Sequence, residues 1–293
     1  MDRYRLVTLP SFAKVNLTLD VRERLPNGYH LIQTVMQEIS LADEVCVRLT
    51  DEAGIRLECP EATVPEDRSN LAGSAAERFY EQLGESPNVY ITLHKRIPVQ
   101  AGLGGGSSNA ATVLRALNIL HGKPFSPEQL RKMASGLGSD VPFFVQGGTA
   151  LVEGLGDVIT PLPVPVYHPL VIAVPAVGVS TAWAYEQIDR ERALAGIEEL
   201  PPPRSPVMAH ALRKGLSWLP LLSNDFEAVV LPAVTEIQRL KAQMVLTGAV
   251  AALLCGSGSA VMGVYPDERE ARRAVQRLRG AGHRAWVCAF CWR

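Results

Sequence analysis

The chain has 293 residues, long enough for two domains and a substantial hydrophobic core. Apolar residues make up 47% and charged residues 20%, the balance of an ordinary soluble globular protein. The net charge is −1 with no basic block, so composition gives no electrostatic attraction to nucleic acid or to an anionic membrane.

The stretch Met1 to Leu6 lacks the apolar core of a signal peptide and the Arg/Ser-rich character of a transit segment. Five scattered cysteines, Cys46, Cys59, Cys255, Cys288 and Cys291, suit reduced thiols in a cytoplasm. Cys288 and Cys291 have the spacing of half a zinc site, but no second close pair completes it. They fit better on opposite faces of a terminal strand over residues 285–292.

In chain order, Ser11 to Leu19 alternates: Ala13, Val15, Leu17 and Leu19 face one way, Lys14, Asn16 and Thr18 the other. Asn27-Gly28 signals a hairpin turn. Strands are expected at 32–41, 45–49 and 55–57. Residues 70–83 read as a helix stopped by Gly84, and 89–97 as a strand. The glycine stretch 98–108 comes next, then a helix over 109–120 with Ser107 or Ser108 as N-cap and Gly122 as its stop. Ser126-Pro127 opens another helix. A short strand at 149–152 precedes a proline-rich run, Leu155 to Pro169. That shift in composition marks a boundary, giving domains at 1–158 and 159–293. A second α/β pattern starts at Leu170. Leu200 to Pro206, with four prolines, reads as a mobile loop. The uncharged run Ala242 to Pro266 is long enough to suggest a membrane span, but its glycines and serines favour two buried strands around a turn. A charged amphipathic helix over 267–281 precedes the last strand.

Pro98-Val99-Gln100-Ala101-Gly102-Leu103-Gly104-Gly105-Gly106-Ser107-Ser108 sits between a strand and a helix start. Four glycines let the backbone come close to a ligand, and free N–H groups at the positive end of a helix suit a phosphate. The Walker pattern fails, because Ser107 stands where a lysine is needed. The dinucleotide pattern fails, because Ser107 stands where a glycine is needed. Protein-kinase signatures are absent. Phosphoryl transfer also needs a positioned nucleophile and positive charge. Asp140, fixed between a Gly-x-Gly turn and Pro142, is the candidate base; a helix-capping or turn aspartate is the plainer alternative. Lys14 would keep such a carboxylate ionised and stabilise a forming alkoxide.

The glycine stretch resembles the second motif of the GHMP kinases, a superfamily of small-molecule kinases. Ala13-Lys-Val-Asn-Leu17 and Leu254-Cys-Gly-Ser-Gly-Ser-Ala260 stand where that family has its first and third motifs. Asn27-Gly-Tyr-His30, Leu137-Gly-Ser-Asp-Val-Pro-Phe-Phe144, Gly178-Val-Ser180 and Ser223-Asn-Asp225 resemble the branch acting on a cytidine-diphosphate-linked methylerythritol. The resemblance implies a two-domain α+β fold. Its N-terminal domain would be ribosomal-S5-like and its C-terminal domain ferredoxin-like, with the active site in the inter-domain cleft. It implies Lys14 and Asp140 as the catalytic pair, and residues 98–108 with Asn70 as ATP contacts. Asn16, Tyr29, His30 and Tyr185 would be acceptor contacts, the two tyrosines sandwiching the cytosine ring. Gly256, Ser257 and Gly258 would form the third motif. ATP is the implied co-substrate, with Mg2+ accompanying it and metal ligands unassigned. The implied partners are small molecules, in a cytoplasmic monomer or homodimer. Cys255 and Ser259 depart from the family, which usually has Ser or Thr and often Pro there. A mevalonate- or homoserine-type kinase and a catalytically silent ligand sensor are the competing readings.

Overall fold

The computed structural model describes residues 5–60, 64–66, 69–197 and 199–292. Met1 to Tyr4, part of the stretch read for targeting signals, lie outside the described residues. The chain forms two compact units, neither continuous in sequence. The first comprises Met1–Ala13, Leu41–Val99 and Gly104–Gly147; the second comprises Lys14–Ser40, Gln100–Leu103 and Gly148–Arg293. The single boundary expected near 158 cuts the sequence differently. The unit bounds fall within two long strands, β1 (Leu6–Arg24) and β2 (His30–Leu49), and within the glycine stretch.

In the first unit, β3 (Gly54–Glu58) and α1 (Leu71–Leu83) precede β4 (Asn88–His94), α2 (Gly105–Leu120), α3 (Pro127–Ser135) and α4 (Val141–Gln146). Residues Glu44–Leu49 of β2 pair antiparallel with β4, and β3 pairs parallel with β4. Val89, Ile91 and Leu93 of β4 are buried while their neighbours are half-exposed, the period-two pattern of a sheet with one core face. α1 presents Ala72, Ala75, Ala76 and Phe79 to the core, and α2 presents Ala110, Val113, Leu114 and Leu117. Each large apolar side chain so buried contributes about 1.5–3 kcal/mol. Asn70 caps α1 through Ala72 N, and Gly84 ends it in the left-handed conformation. Ser126 and Gln129 form a reciprocal capping box on α3. The expected break between strands 32–41 and 45–49 does not occur. Asp43 sits inside β2, and backbone N–H groups of residues 96 and 97 satisfy its carboxylate.

In the second unit, residues Ile32–Gln37 of β2 pair with β5 (Thr149–Gly154), which pairs with β6 (Val158–Leu162). Residues 158–162 of the proline-rich run are therefore part of a sheet, with Pro161 on the edge strand where a missing N–H costs little. There follow β7 (Leu170–Val174), α5 (Thr181–Leu194), α6 (Ser205–Arg213), β8 (Ser223–Asn224), α7 (Glu227–Ala233), α8 (Thr235–Leu246), β9 (Ala251–Leu254), β10 (Val261–Val264), α9 (Glu268–Gly280) and β11 (Arg284–Cys288). β11, β7, β10 and β9 make an antiparallel sheet in that order. Ile237, Leu240 and Met244 of α8 and Ala271, Ala274 and Leu278 of α9 share its core with Val171, Ala173 and Val261. β8 runs parallel to β1, with Thr18 opposite Ser223.

Two further expectations are corrected. The 200–206 stretch is tied down: Arg22 donates to Pro201 O, and Arg204 N and Ser205 N donate to Asp20 as α6 begins. The last strand ends at Cys288 rather than 292. The uncharged run Ala242 to Pro266 contains β9 and β10, and among the described residues no helix is long and apolar enough to cross a membrane.

Candidate active site

α2 begins four residues earlier than its sequence suggests. Its N-cap is Gly104, at φ +71°, and neither Ser107 nor Ser108 caps it. A left-handed cap followed by two more glycines leaves the N–H groups of Gly105, Gly106 and Ser107 with no carbonyl one turn back. Ser108 N already bonds Gly104 O at 2.9 Å, and Ser108 Oγ accepts from Ser11 Oγ at 2.8 Å. Helix-end N–H groups on a bare backbone form a cradle for an anion. Gly122, at φ +77°, ends the helix as expected.

In the second unit, three sequence motifs meet. Lys14 N donates to Leu103 O at 3.0 Å, and Ala260 N donates to Ala101 O at 3.1 Å. A Cβ on Gly102 would lie 2.0 Å from Cys255 O, so only glycine fits. Lys14 Nζ lies 3.6 Å from where a Cβ on Gly256 would stand. The buried Lys14 ammonium donates to Asn16 Oδ1 at 2.7 Å, and Asn16 Nδ2 donates to Thr34 Oγ1 at 2.8 Å. Asn224 Nδ2 holds both Leu254 O and Gly256 O at 2.8 Å. Ser257 shares a hydrogen bond of 2.8 Å with Thr181. Burial pushes the Cys255 thiol up to about 12, with the nearby Lys14 ammonium opposing the rise, so Cys255 is a neutral thiol at neutral pH. Asp225 Oδ2 accepts Val21 N at 2.8 Å, and burial raises this carboxyl above the usual range.

His30, expected to contact an acceptor, is buried. Its ring stacks on Tyr185 at 4.8 Å and 16°, and its Nε2 shares a 2.7 Å hydrogen bond with Asp189 Oδ1. Tyr185 also meets the Phe226 ring edge at 4.9 Å. Tyr29 is 64% exposed beside the Asn27-Gly28 turn. Asp189 was missed by the sequence reading. It lies four residues after Tyr185 on α5, the spacing that puts two side chains on one helix face, and that spacing was the signal available.

The remaining sequence-predicted residues fall in the first unit, except Gln100, Ala101, Gly102 and Leu103, which belong to the second. Asp140 is half-buried at the N-cap position of α4, yet its side chain makes no capping hydrogen bond. Of the plainer readings, a side-chain cap is therefore set aside, while Asp140 does stand in a turn. Asn70 serves α1: its Oδ1 accepts Ala72 N and its Nδ2 donates to Pro65 O. Pro98 is buried and Val99 is 54% exposed. Among the described residues, Glu44, Cys46 and His94 place ligand atoms within 4.8 Å of one another. A thiol and an imidazole suit a softer ion than magnesium. In the glycine stretch, half-buried Ser107 carries a hydroxyl, the hard kind of oxygen that suits Mg2+.

Residues 70–148 match the GHMP kinases N terminal domain, and residues 208–284 match the GHMP kinases C terminal domain. The 4-diphosphocytidyl-2-C-methyl-D-erythritol kinase of Geobacter sulfurreducens is 39% identical over 285 residues, covering 97% of each chain. The chain belongs to the GHMP kinases, in the 4-diphosphocytidyl-2-C-methyl-D-erythritol kinase family. The corresponding enzyme of Symbiobacterium thermophilum is 43% identical to this GHMP kinase over 279 residues, covering 94% of this chain and 96% of that one. A crystal structure of 4-(cytidine 5'-diphospho)-2C-methyl-D-erythritol kinase superposes with a TM-score of 0.82 at 34% identity, over 98% of this chain and 100% of that one. A homoserine kinase from Cytophaga hutchinsonii shares the GHMP fold at 20% identity and a TM-score of 0.75, over 99% and 96% of the two chains.

Proposed function

We propose that this chain transfers the γ-phosphate of ATP to the 2-hydroxyl of 4-diphosphocytidyl-2-C-methyl-D-erythritol, in the non-mevalonate isoprenoid route of a cytoplasm. The observation that carries the reading is the meeting of the three motifs at Lys14, Gly102 and Gly256 within one unit, in a chain whose relatives bear that enzyme's name over nearly their full length. Residues 98–108 cradle the triphosphate on main-chain N–H groups. Asp140 accepts the proton of the acceptor hydroxyl as that oxygen attacks the γ-phosphorus in line. Lys14, oriented by Asn16, neutralises the negative charge that grows on the attacking oxygen.

His30 and Asn16 contact the acceptor, and Tyr29 and Tyr185 sandwich its cytosine ring, with base–aromatic stacking worth about 1–3 kcal/mol per base. His30 turns its Nε2 to Asp189, which leaves Nδ1 to read the acceptor. Asn70 reaches the adenine side. A magnesium ion bound with the nucleotide supplies charge neutralisation across the phosphate oxygens, and Ser107 is the residue that would hold it. The matched family domains lie on either side of residue 158, in keeping with functional halves at 1–158 and 159–293.

A panel of alcohol acceptors tests the reading. The cytidyl substrate should give the highest kcat/KM, by about 10³ or more over mevalonate and homoserine, since the site would lose base stacking and polar contacts with either of them. A preference for mevalonate or homoserine would overturn it.

A further inference from the structure

Asp43 lies in β2, outside the sequence motifs, and its side chain is fully buried. Its Oδ1 accepts Arg96 N at 2.7 Å and Ile97 N at 2.8 Å, immediately before the glycine stretch. Its Oδ2 accepts Asn109 Nδ2 at 2.9 Å, immediately after the stretch, and pairs closely with Lys95 Nζ. Lys95 Nζ also donates to Asn109 Oδ1 at 2.9 Å. Asn109 Nδ2 reaches Ser11 Oγ at 2.9 Å, and Ser11 Oγ donates to Ser108 Oγ at 2.8 Å. Ile97, just before the stretch, also packs tightly on the start of α2: a Cβ on Gly105 would stand 3.0 Å from Ile97 Cγ2.

Burying a carboxylate with an ammonium gains little net stability over an apolar pair of the same shape. A fully satisfied buried network does fix geometry. We propose that Asp43 is a positioning residue for ATP: one carboxylate clamps the strand that enters the phosphate loop to the helix that leaves it. The clamp sets the spacing of the loop's two ends, and so the aim of its N–H groups. This rests on the reading that residues 98–108 hold the triphosphate.

The test is steady-state kinetics on the full chain with ATP and the cytidyl acceptor. In Asp43→Asn the Oδ1 side can still accept Arg96 N and Ile97 N, but the new amide faces the donors of Lys95 and Asn109. The KM for ATP should rise about tenfold, the effect of breaking a charged buried hydrogen bond, while the KM for the acceptor stays within about twofold. The double variant Asp43→Asn/Asn109→Asp gives the amide an acceptor again, and should return most of the ATP KM. A role confined to stability would lower the melting temperature and leave the ATP KM unmoved. If Asp43→Asn does not fold, Ser11→Ala decides: a rise of about threefold or more in ATP KM supports the clamp, since the neutral hydrogen bonds from Asn109 and to Ser108 are both lost, and none overturns it. A folded Asp43→Asn with unchanged ATP KM, equal rises in both KM values, or no recovery in the double variant removes the clamp alone. A wild-type chain that does not turn over ATP removes the functional reading and this inference with it.

Discussion

Asp43 and Asp140 belong to the same compact unit and carry the same carboxylate, yet their surroundings differ. Asp43 is fully buried, and both its oxygens accept from the protein's own donors on either side of the glycine stretch. Asp140 is half-buried at the first turn of a helix and does not cap it. A carboxylate locked among donors holds backbone in place and is poorly suited to take up a proton. One at a partly exposed turn can meet a substrate hydroxyl. These surroundings suit Asp43 to the positioning role proposed for it and Asp140 to the base role proposed for it.

The sharpest way to break the comparison is Asp140→Asn. Turnover should fall by about 10² or more, as for the loss of a general base, while ATP binding measured by calorimetry stays near the wild-type value. Unchanged turnover would take Asp140 out of the base role. A fall in ATP affinity instead of turnover would make the two aspartates alike.

Gly102→Ala should come next in size. The added Cβ would meet Cys255 O at 2.0 Å in a backbone at φ +76°, so the meeting of second and third motifs must open. A stability loss of about 2–4 kcal/mol is expected by denaturant unfolding, combining overpacking with left-handed strain. A neutral result would mean the close approach does not matter. Asp189→Asn is milder, because the amide oxygen can still accept from His30. A rise of about fivefold in acceptor KM with an unmoved ATP KM is expected for a weakened charged hydrogen bond. Equal changes in both would deny His30 its acceptor role.

The smallest effect concerns Cys255. Its thiol is raised from 9.0 to about 12 by burial. The folded chain then keeps a proton that the unfolded chain loses above pH 9, so this group's contribution to stability falls as pH rises from 9 towards 12. At pH 8 iodoacetamide should label half-exposed Cys46 and Cys291 in the native protein and leave Cys255 unmodified, as mass spectrometry would read. Rapid labelling of Cys255 would show that the third motif opens readily.

The glycine stretch, the alternation around Lys14, the stop of α1 at Gly84 and the start of α3 at Ser126 were legible because each is set by local chemistry: missing Cβ atoms, period two, a left-handed glycine, and a side chain that satisfies helix-end N–H groups. The start of α2 was not. Glycine is a poor helix former, so local propensity placed the cap at a serine, whereas packing against Ile97 and the polar network beneath set it at Gly104. Asp43 was passed over for a related reason. An aspartate inside a strand looks like a break until the donors of residues 95–97 and 109, distant in sequence, are seen to satisfy it. Asp189 belonged to none of the recognised motifs, and only its spacing from Tyr185 could have marked it. Asn224 belonged to a recognised motif, but its grip on two carbonyls of the third motif is a tertiary fact.

Phosphorus-31 NMR of the products after incubation with ATP, Mg2+ and 4-diphosphocytidyl-2-C-methyl-D-erythritol tests the central claim most directly. The account predicts ADP together with a new phosphomonoester on the 2-oxygen of the erythritol. ATP left intact, or a phosphate carried on a different oxygen, would contradict it.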